Sequence, residues 1–318
     1  MRILVTGASG RLGLNLALEL CRQREQHTVF GTANQNALHT NAFTVLQADL
    51  LTPGALESLF EQSRPDWVVH CAALANLEAC EADPALASQL NTELPRRLAQ
   101  LCTKTRRDVT RGGARLVHIS TDAVFDGARG DYTETDTPNP LGVYARTKLE
   151  GEWAVAEADP SAIIARVNLF GWSMSGRRSL AEFFFNNLSA GKQVMGFTDV
   201  IFCPLLVNDI AHLLVGMLEL ELSGVYHTVS AECLSKYVFG VRLAERFGLD
   251  ARLISPTSVH QSGLSAARAP NLSLRTDKLA AALGTPLPSL SPALERFYTL
   301  YQQGYPQMLQ GLGGRGKE

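Results

Sequence analysis

Short apolar runs alternate with longer segments of helical periodicity through the first half of the chain. The apolar runs cover residues 3–5, 28–30, 44–46, 67–70, 116–119 and 162–165. Apolar residues recur at helical spacing in four segments between them, at 12–24, 53–62, 84–104 and 142–157. Uniformly apolar strands that alternate with helices are typical of a parallel sheet covered on both faces. The pattern therefore predicts an α/β fold with a doubly wound parallel sheet.

The alternation loosens beyond about residue 166, where glycine and proline interrupt it. A second strand-like run covers 224–229, and a helix is predicted over 235–248. We interpret residues 1–165 plus about 205–229 as a nucleotide-binding domain. Residues from about 166–204 and 230–318 are predicted to form a smaller C-terminal α/β substrate-binding lobe that ends in a loose, glycine-rich tail from Gly311.

A glycine-rich turn follows the first strand and opens the first helix. Gly7 allows a tight turn, Gly10 lets the backbone approach a pyrophosphate, and Gly13 lets the helix pack on the strand. The helix N-terminus offers free N–H groups and a partial positive charge to the phosphates, and Thr6 and Ser9 add hydroxyl donors. This placement favours a Rossmann-type dinucleotide site, with a ligand-free turn as the alternative.

The residues after the second strand bear on the choice of cofactor. In NAD-binding proteins an acid usually ends this strand and holds the ribose hydroxyls, but residues 30–35 contain none. The missing carboxylate removes a repulsion against a 2′-phosphate, and Arg11 in the turn is placed to bind one. The sequence therefore favours NADPH, with NADH as the alternative. Asp49 and Leu50 end the third strand and suit the adenine edge, although Asp49 equally suits a helix cap.

Tyr144 and Lys148 lie one helical turn apart in the segment 142–157. A free tyrosine has a pKa of about 10, too high for proton exchange near neutral pH. An ammonium at about 4 Å contributes ~4 kcal/mol at an effective dielectric constant of about 20, which is about three pKa units. We therefore expect Lys148 to bring the pKa of Tyr144 close to neutrality. The alternative is a surface tyrosine beside a solvated lysine.

The segment 118–127 ends an apolar strand, at the edge where open α/β sheets place their ligands. The hydroxyl of Thr121 is expected to face the same cleft as that of Tyr144. Together the two donors would polarise a carbonyl oxygen while a nicotinamide delivers hydride to its carbon. The alternative for Ser120 and Thr121 is that their hydroxyls cap a turn.

Composition narrows the classes of function. A net charge of −2 over 318 residues offers no basic face to nucleic acid or an anionic membrane, and no apolar stretch approaches the ~18 residues of a membrane helix. The six cysteines never form a CxxC pair, so we expect reduced, mostly buried thiols of a cytoplasmic protein, without a disulfide or metal framework. The sequence also opens directly into a strand, without the pattern of an export signal.

Several motifs together resemble those of the extended short-chain dehydrogenase/reductases, most closely the dTDP-4-dehydrorhamnose reductase branch. They are TGASGRLG from residue 6, CAA at 71–73, STDAVFDG from 120, YARTK at 144–148 and the segment 269–278. The likeness extends to about residue 298. It implies that Thr121, Tyr144 and Lys148 form the catalytic set.

The resemblance also implies how a cofactor and a sugar would lie. The residues implied to contact the cofactor are Gly10, Arg11, Leu12, Asp49, Leu50, Ala72, Ala73, Leu74 and Lys148. The first three would contact the pyrophosphate, Asp49 and Leu50 the adenine, and Lys148 the nicotinamide ribose. Asp122 would lie at the sugar.

Three positions depart from the pattern of the rhamnose-forming enzymes. Ala123 stands where they have a tyrosine, Leu169 where they have a tryptophan, and Ala75 where they have a threonine. Loss of polar partners at a sugar site changes specificity sharply, so the sugar or its nucleotide is expected to differ. Ala123 also argues against the related 4,6-dehydratases, which carry a second acid there, whereas a 4-epimerase remains open.

Two classes of function follow. The first is NADPH-dependent reduction of a 4-keto-6-deoxy nucleotide sugar, with no nucleic acid or membrane partner. The second is a non-catalytic NADP-binding module, because the branch also resembles the regulatory subunit of methionine adenosyltransferase. The intact Thr121, Tyr144 and Lys148 favour the enzyme, and the altered sugar positions favour the module. A homodimer and a metal requirement are left open.

Overall fold

Parallel strands form the centre of the protein, in a computed structural model that describes residues 1–22, 27–107, 113–261 and 269–313. The strands are β1 Arg2–Thr6, β2 Thr28–Ala33, β3 Thr44–Gln47, β4 Trp67–His70, β5 Arg115–Thr121, β6 Ile163–Val167, β7 Leu169–Phe170, β8 Val194–Phe197, β9 Ile201–Phe202, β10 Leu205–Leu206, β11 Gly224–His227, β12 Leu234–Ser235 and β13 Ile254–Thr257. Seven of them form one sheet in the order β11-β6-β5-β4-β1-β2-β3, and every pairing within it is parallel. The predicted doubly wound parallel sheet is confirmed.

Helices connect these strands and cover the sheet. They are α1 Arg11–Arg22, α2 Ala55–Ser63, α3 Leu77–Ala82, α4 Pro84–Ser88, α5 Leu94–Arg107, α6 Gly142–Ala158, α7 Leu180–Ser189, α8 Val207–Glu219, α9 Lys236–Phe247, α10 Asp277–Leu283, α11 Leu290–Gln302 and α12 Tyr305–Leu312. The four helical segments predicted in the first half therefore all contain helix. The last two residues of the predicted segment 12–24 lie outside the described residues, as do residues 314–318 of the predicted tail.

The predicted helix at 84–104 is interrupted by a single π turn, Gln89–Glu93, between α4 and α5. Helix α6 crosses this turn so closely that a Cβ on Gly151 would lie 2.1 Å from the carbonyl oxygen of Asn91. Only glycine fits at that crossing. The wider turn therefore marks where α6 approaches, a long-range contact that helical periodicity does not encode.

The second half of the chain returns to the main sheet. Helix α8 packs against α1, and β11 pairs with β6 at the edge of the seven-stranded sheet, ending at His227. Three two-stranded sheets, β7 with β10, β8 with β13 and β9 with β12, lie outside it. One hydrophobic cluster includes Leu14, Leu214, Phe239 and Phe297, so these helices share a core. The division into two lobes at the predicted boundaries stays a prediction.

The prediction that all cysteines are reduced is wrong for one pair. Cys203 and Cys233 form a disulfide across 30 residues. Strands β9 and β12 are antiparallel, with Phe202 opposite Leu234. Cys203 follows Phe202 and Cys233 precedes Leu234, so this register brings the two cysteines together. The pairing thus depends on strand register in the folded chain, and no short motif announces it. Cys21, Cys71, Cys80 and Cys102 keep their thiols, outside this disulfide.

Each helix in the described ranges is too short or too polar to span a membrane. No cluster of three or more His, Cys, Asp or Glu side chains in the same ranges could hold a metal ion.

A buried ion pair holds α6 against the sheet. The Arg166 guanidinium on β6 donates to both carboxylate oxygens of Glu152 on α6, the shortest contact being 2.7 Å from Nη2 to Oε2. The Ser120 hydroxyl on β5 also donates to Glu152 Oε1 at 2.5 Å. The charged side chains are only 4% and 3% exposed, so each depends on the other for its electrostatic compensation.

We expect Glu152→Ala to lower the free energy of unfolding by about 3–5 kcal/mol, because it strands the Arg166 guanidinium in the interior. Urea unfolding followed by circular dichroism measures the loss. The double variant Glu152→Leu/Arg166→Met should recover most of it, since apolar side chains replace both charges. Glu157→Ala, at an exposed position of the same helix, is the control and should change stability by less than about 0.5 kcal/mol. A loss of that small size in Glu152→Ala would show that the pair does not hold the helix.

Candidate active site

The glycine turn has the geometry that its sequence predicts. Gly7 has φ +67°, and a Cβ there would lie 2.9 Å from Ala72 Cα, so the turn presses against the segment that follows β4. A Cβ on Gly13 would lie 2.4 Å from the Gly7 carbonyl oxygen. Helix α1 begins at Arg11, directly after Gly10. A side chain larger than hydrogen is therefore excluded at two of the three glycines.

Segments from three strand ends and helix α6 meet beside this turn. The Ala72 amide donates to Thr6 Oγ1 at 3.3 Å, which joins the ends of β4 and β1. Asn91 accepts from the Leu74 amide at 3.0 Å and donates to the Leu74 carbonyl oxygen and to Thr147 Oγ1, both at 3.1 Å. The loop after β4 is thereby fastened to α6, next to Lys148. Of the predicted cofactor residues, Ala73 in this loop is exposed.

Tyr144 and Thr121 lie near each other, close enough for the Thr121 hydroxyl to lower the pKa of the Tyr144 phenol. The Thr121 hydroxyl also accepts from the Ala123 amide at 3.2 Å and caps the short 3-10 turn Asp122–Val124. The capping interpretation of Thr121 therefore describes a contact that exists, and its catalytic role stays a prediction.

The predicted pKa of Tyr144 is wrong. Burial raises the pKa of the phenol to about 12, although the hydrogen bond from Thr121 and the positive charge of Arg11 oppose this rise. Lys148 does not bring the pKa towards neutrality because its ammonium is turned to the sheet, where it donates to the Ile119 carbonyl oxygen at 2.7 Å. A helical spacing of four residues aligns two side chains on one face without making their ends meet.

Lys148 is itself buried. Burial lowers the pKa of its ammonium to about 8, and the carboxylate of Glu152 and the thiol of Cys71 oppose the shift. Its Nζ lies 3.4 Å from His118 Nε2. The His118 imidazole belongs to a buried pair with His70, stacked at 5.5 Å on the neighbouring strand. Sequence reasoning missed both histidines, whose only signal is a polar residue within an apolar strand.

Asp122 lies at the same edge and is buried. Its carboxylate accepts from Thr121 Oγ1 at 3.1 Å and from Asn168 Nδ2. Burial raises the pKa of Asp122, and these hydrogen bonds oppose the rise. Asn168 precedes Leu169, so the contact brings the Leu169 and Ala123 segments together. Ala75 is exposed in the loop that precedes α3.

The turn at Asp49 differs from a helix cap. Asp49 Oδ1 accepts from the Leu51 amide at 3.0 Å, whereas α2 begins later, after Gly54. Asp49 thus stabilises its own turn, and Leu50 is buried beneath it. The structure keeps both residues at the end of the third strand, where the sequence puts them.

A cavity of about 540 Å³ opens beside the glycine turn and contains two arginines. Its lining includes Ser9, Arg11, Asn36, Ser173, Arg178 and Gln310. Arg11 Nη1 donates to the Arg178 carbonyl oxygen at 2.5 Å. The Arg178 loop is held in turn by the fully buried Glu182, which accepts from the amides of Ser173 and Arg178 at 2.6 and 2.8 Å. Glu182 is a further residue that sequence reasoning missed.

The sequence relatives are reductases and a regulatory subunit. The chain is 31% identical to the probable low-salt glycan biosynthesis reductase Agl14 of Haloferax volcanii, over 95% of this chain and 99% of the relative. It is 31% identical to the dTDP-4-dehydrorhamnose reductase of Mycobacterium tuberculosis, over 90% of this chain and 88% of the relative. It is 32% identical to methionine adenosyltransferase 2 subunit beta of Mus musculus, over 87% and 81%.

Solved structures share the fold over nearly the whole chain. A dTDP-4-dehydrorhamnose reductase from Clostridium acetobutylicum superposes with a TM-score of 0.77 at 25% identity, covering 95% of this chain and all of that one. The same enzyme of Bacillus anthracis, solved in complex with NADP, gives a TM-score of 0.76 at 24% identity over 94% and 98%.

The parallel sheet, the glycine turn and these reductase relatives define the class: the chain is an NAD(P)-dependent oxidoreductase of the extended short-chain dehydrogenase/reductase type. The family model described as RmlD substrate binding domain matches residues 1–303. The chain belongs to that family.

The raised pKa of Asp122 makes stability depend on pH. A folded-state pKa above the unfolded value means that the folded protein binds this proton more tightly. The stabilisation is full below the unfolded pKa and is lost as pH rises through the folded pKa. Asp122→Asn cannot ionise, so its Tm relative to wild type should rise between about pH 3 and about pH 7. Thermal unfolding at both pH values measures this change.

Asp126 is the control of opposite sign. Hydrogen bonds from the Ala128 amide, the Tyr132 hydroxyl and the Asn139 side chain lower the pKa of its carboxyl to about 2. The folded state therefore gains stability from this group above the unfolded pKa and loses it on acidification. Asp126→Asn should accordingly fall in relative Tm over the same rise in pH. Equal trends in the two variants would contradict the buried state of Asp122.

Proposed function

We propose that the protein is an NADPH-dependent reductase of a 4-keto-6-deoxy nucleotide sugar. The observation that carries the proposal is the closeness of the Thr121 hydroxyl, at the end of β5, to the Tyr144 phenol, with buried Lys148 one turn further along α6. Two hydroxyls that converge at the ligand edge of a parallel sheet suit the oxygen of a carbonyl. The reductase relatives support this reading.

In the proposed reaction Tyr144 donates its proton to the 4-oxo oxygen. Because its pKa is about 12, the phenol carries that proton throughout the neutral range and can serve as the acid. Thr121, whose single hydroxyl proton points to Asp122 Oδ1 in the structure, would turn it to the same oxygen and orient that oxygen. NADPH, when bound, supplies the hydride for the carbon. The nearby cation, Arg11, then stabilises the negative charge that Tyr144 acquires.

The glycine turn supports binding of the dinucleotide. We assign to its pyrophosphate and flanking groups the residues Gly7, Ser9, Gly10, Arg11, Leu12, Gly13, Asp49, Leu50, Ala72, Ala73 and Leu74, with Tyr144 and Lys148 at the nicotinamide end. Gly7 and Gly13 exclude a Cβ and so keep the turn tight, and α1 begins directly after it with its N-terminus at the turn. The two arginines of the cavity beside it favour NADPH over NADH because a 2′-phosphate is an anion.

The sugar would lie against Asp122, Ala75, Ala123 and Leu169. The relatives named as dTDP-4-dehydrorhamnose reductases support a nucleotide sugar. The small or apolar residues at three of these positions support a sugar or nucleotide other than theirs. A cytoplasmic location and a homodimer stay predictions.

A regulatory module is the second candidate. The similarity to methionine adenosyltransferase 2 subunit beta favours it, since that relative is named as a subunit. The two candidates differ in what the purified chain does by itself: the reductase oxidises NADPH with a keto sugar, and the module does not.

We expect Tyr144→Phe to lower kcat by about 10²- to 10⁴-fold, because the general acid is lost, and to keep NADPH affinity. NADPH oxidation against a panel of 4-keto nucleotide sugars measures turnover, and nicotinamide fluorescence measures binding. Tyr301→Phe, on the exposed face of α11, is the control and should keep full turnover. Retained turnover in Tyr144→Phe would disprove the assigned role. Absence of oxidation by the wild type across the panel, with a copurifying partner, would favour the module.

We expect Arg11→Gln to weaken NADPH binding by about 10- to 100-fold, the effect of losing a hydrogen bond to a charged group, and to weaken NADH binding much less. The same fluorescence titration with both cofactors gives the ratio of dissociation constants. Arg22→Gln, at the exposed opposite end of α1, is the matched control. Equal weakening of NADPH and NADH would instead assign Arg11 to the pyrophosphate.

A further inference from the structure

The ammonium of Lys148 is held from the side of the sheet by two acceptors. Nζ donates to the Ile119 carbonyl oxygen at 2.7 Å and lies 3.4 Å from Nε2 of His118. While Lys148 is charged, its ammonium has three N–H donors and no acceptor, so we infer that His118 Nε2 accepts in this contact. The proton of the neutral imidazole is then on Nδ1. Lys148 and His118 are 3% and 0% exposed, which keeps water from competing for the contact.

A second histidine stands behind the first. His70 and His118 are paired across β4 and β5, and their rings stack with an angle of 24° between their planes. His70 Nδ1 lies 2.7 Å from the Thr6 hydroxyl, and the same hydroxyl oxygen accepts from the Ala72 amide. A continuous row of contacts therefore runs from the glycine turn, through both histidines, to Lys148.

We propose that His118 is a positioning residue: its unprotonated Nε2, together with the Ile119 carbonyl oxygen, sets the direction and the protonation of the Lys148 ammonium. His70 supports the ring by stacking, and its contact with Thr6 connects that support to the turn. Two of the three ammonium protons are directed to the sheet, and the third is left for a ligand. On the proposed function, that ligand is the nicotinamide ribose.

The charges around Lys148 are consistent with His118 as the acceptor of its hydrogen bond. The titratable groups that face Lys148 are Glu152 on its own helix, Cys71 after β4, and the two histidines of β4 and β5. Burial and the Lys148 charge lower the pKa of both imidazoles, so they stay neutral and add no repulsion.

Two substitutions of His118, of nearly equal size, distinguish its role as a hydrogen-bond acceptor from its role in packing. His118→Gln keeps an amide oxygen near the position of Nε2, and His118→Phe keeps a buried ring without an acceptor. The pKa of Lys148 is measured directly by ¹³C NMR of the lysine ε-carbons, since the chain has six lysines and the Lys148 signal is the one absent from Lys148→Met. Its pKa in the wild type should be about 8.

We expect the pKa of Lys148 to fall by about one unit in His118→Phe, the effect of losing a hydrogen bond to a charged group, and to stay unchanged in His118→Gln. Binding of NADPH should weaken at a correspondingly lower pH in His118→Phe alone. If His118→Phe unfolds, a double-labelled wild-type sample still tests the contact, because the ¹⁵N shifts of His118 must report a proton on Nδ1. A Lys148 pKa that is equal in both variants, or a proton on Nε2, would overturn the proposal. Neither NMR measurement requires turnover. A failed reductase assay would therefore contradict the proposed function without deciding whether His118 positions Lys148.

Discussion

The buried contact among Glu152, Arg166 and Ser120 determines where the site can be. It joins α6 to β5 and β6, and the Ser120 hydroxyl belongs to the residue directly before Thr121. Lys148 and Glu152 lie one helical turn apart on the same face, so a contact that fixes one orients the other. Tyr144 is a further turn back along the same helix. A rotation of α6 would therefore move both candidate residues away from the strand end.

Such a contact is poor evidence of stability and better evidence of orientation. Apolar side chains could pack in the same place at less electrostatic cost, but they would tolerate several rotations of the helix. An ion pair with several directed hydrogen bonds tolerates few. The π turn at Asn91 acts similarly at the other side of α6, since its amide side chain joins the helix to the loop after β4. Two polar contacts thus define one helix position.

The sequence predicted what depends on neighbours in the chain. The glycine turn, the order of strands and helices, and the approach of Thr121 to Tyr144 all follow from local periodicity and from the rule that ligands lie at the carboxyl ends of parallel strands. Contacts between segments that are distant in the chain could not be predicted from the sequence. Nothing near Glu152 points to Arg166, and the Cys203–Cys233 pair depends on the register of β9 and β12. The predicted pKa of Tyr144 is wrong for the same reason. The spacing places Lys148 on the same helix face as Tyr144, whereas the hydrogen bonds of Lys148 turn its ammonium to the sheet.

That reorientation changes how charge is distributed in the proposed reaction. A phenol with a pKa of about 12 is a weak acid, and its phenolate is unstable in this site. Donation of its proton must therefore be accompanied by stabilisation of the phenolate. Arg11, from the glycine turn, is the cation that lowers the pKa of this phenol. The two imidazoles between the turn and Lys148 remain neutral because burial and Lys148 itself lower their pKa. A protonated imidazole there would repel the Lys148 ammonium and favour its deprotonation. A neutral imidazole instead accepts a hydrogen bond from the ammonium and stabilises its charged form. The buried, neutral histidines thus preserve the positive charge of Lys148, whose third proton is left for the proposed ligand.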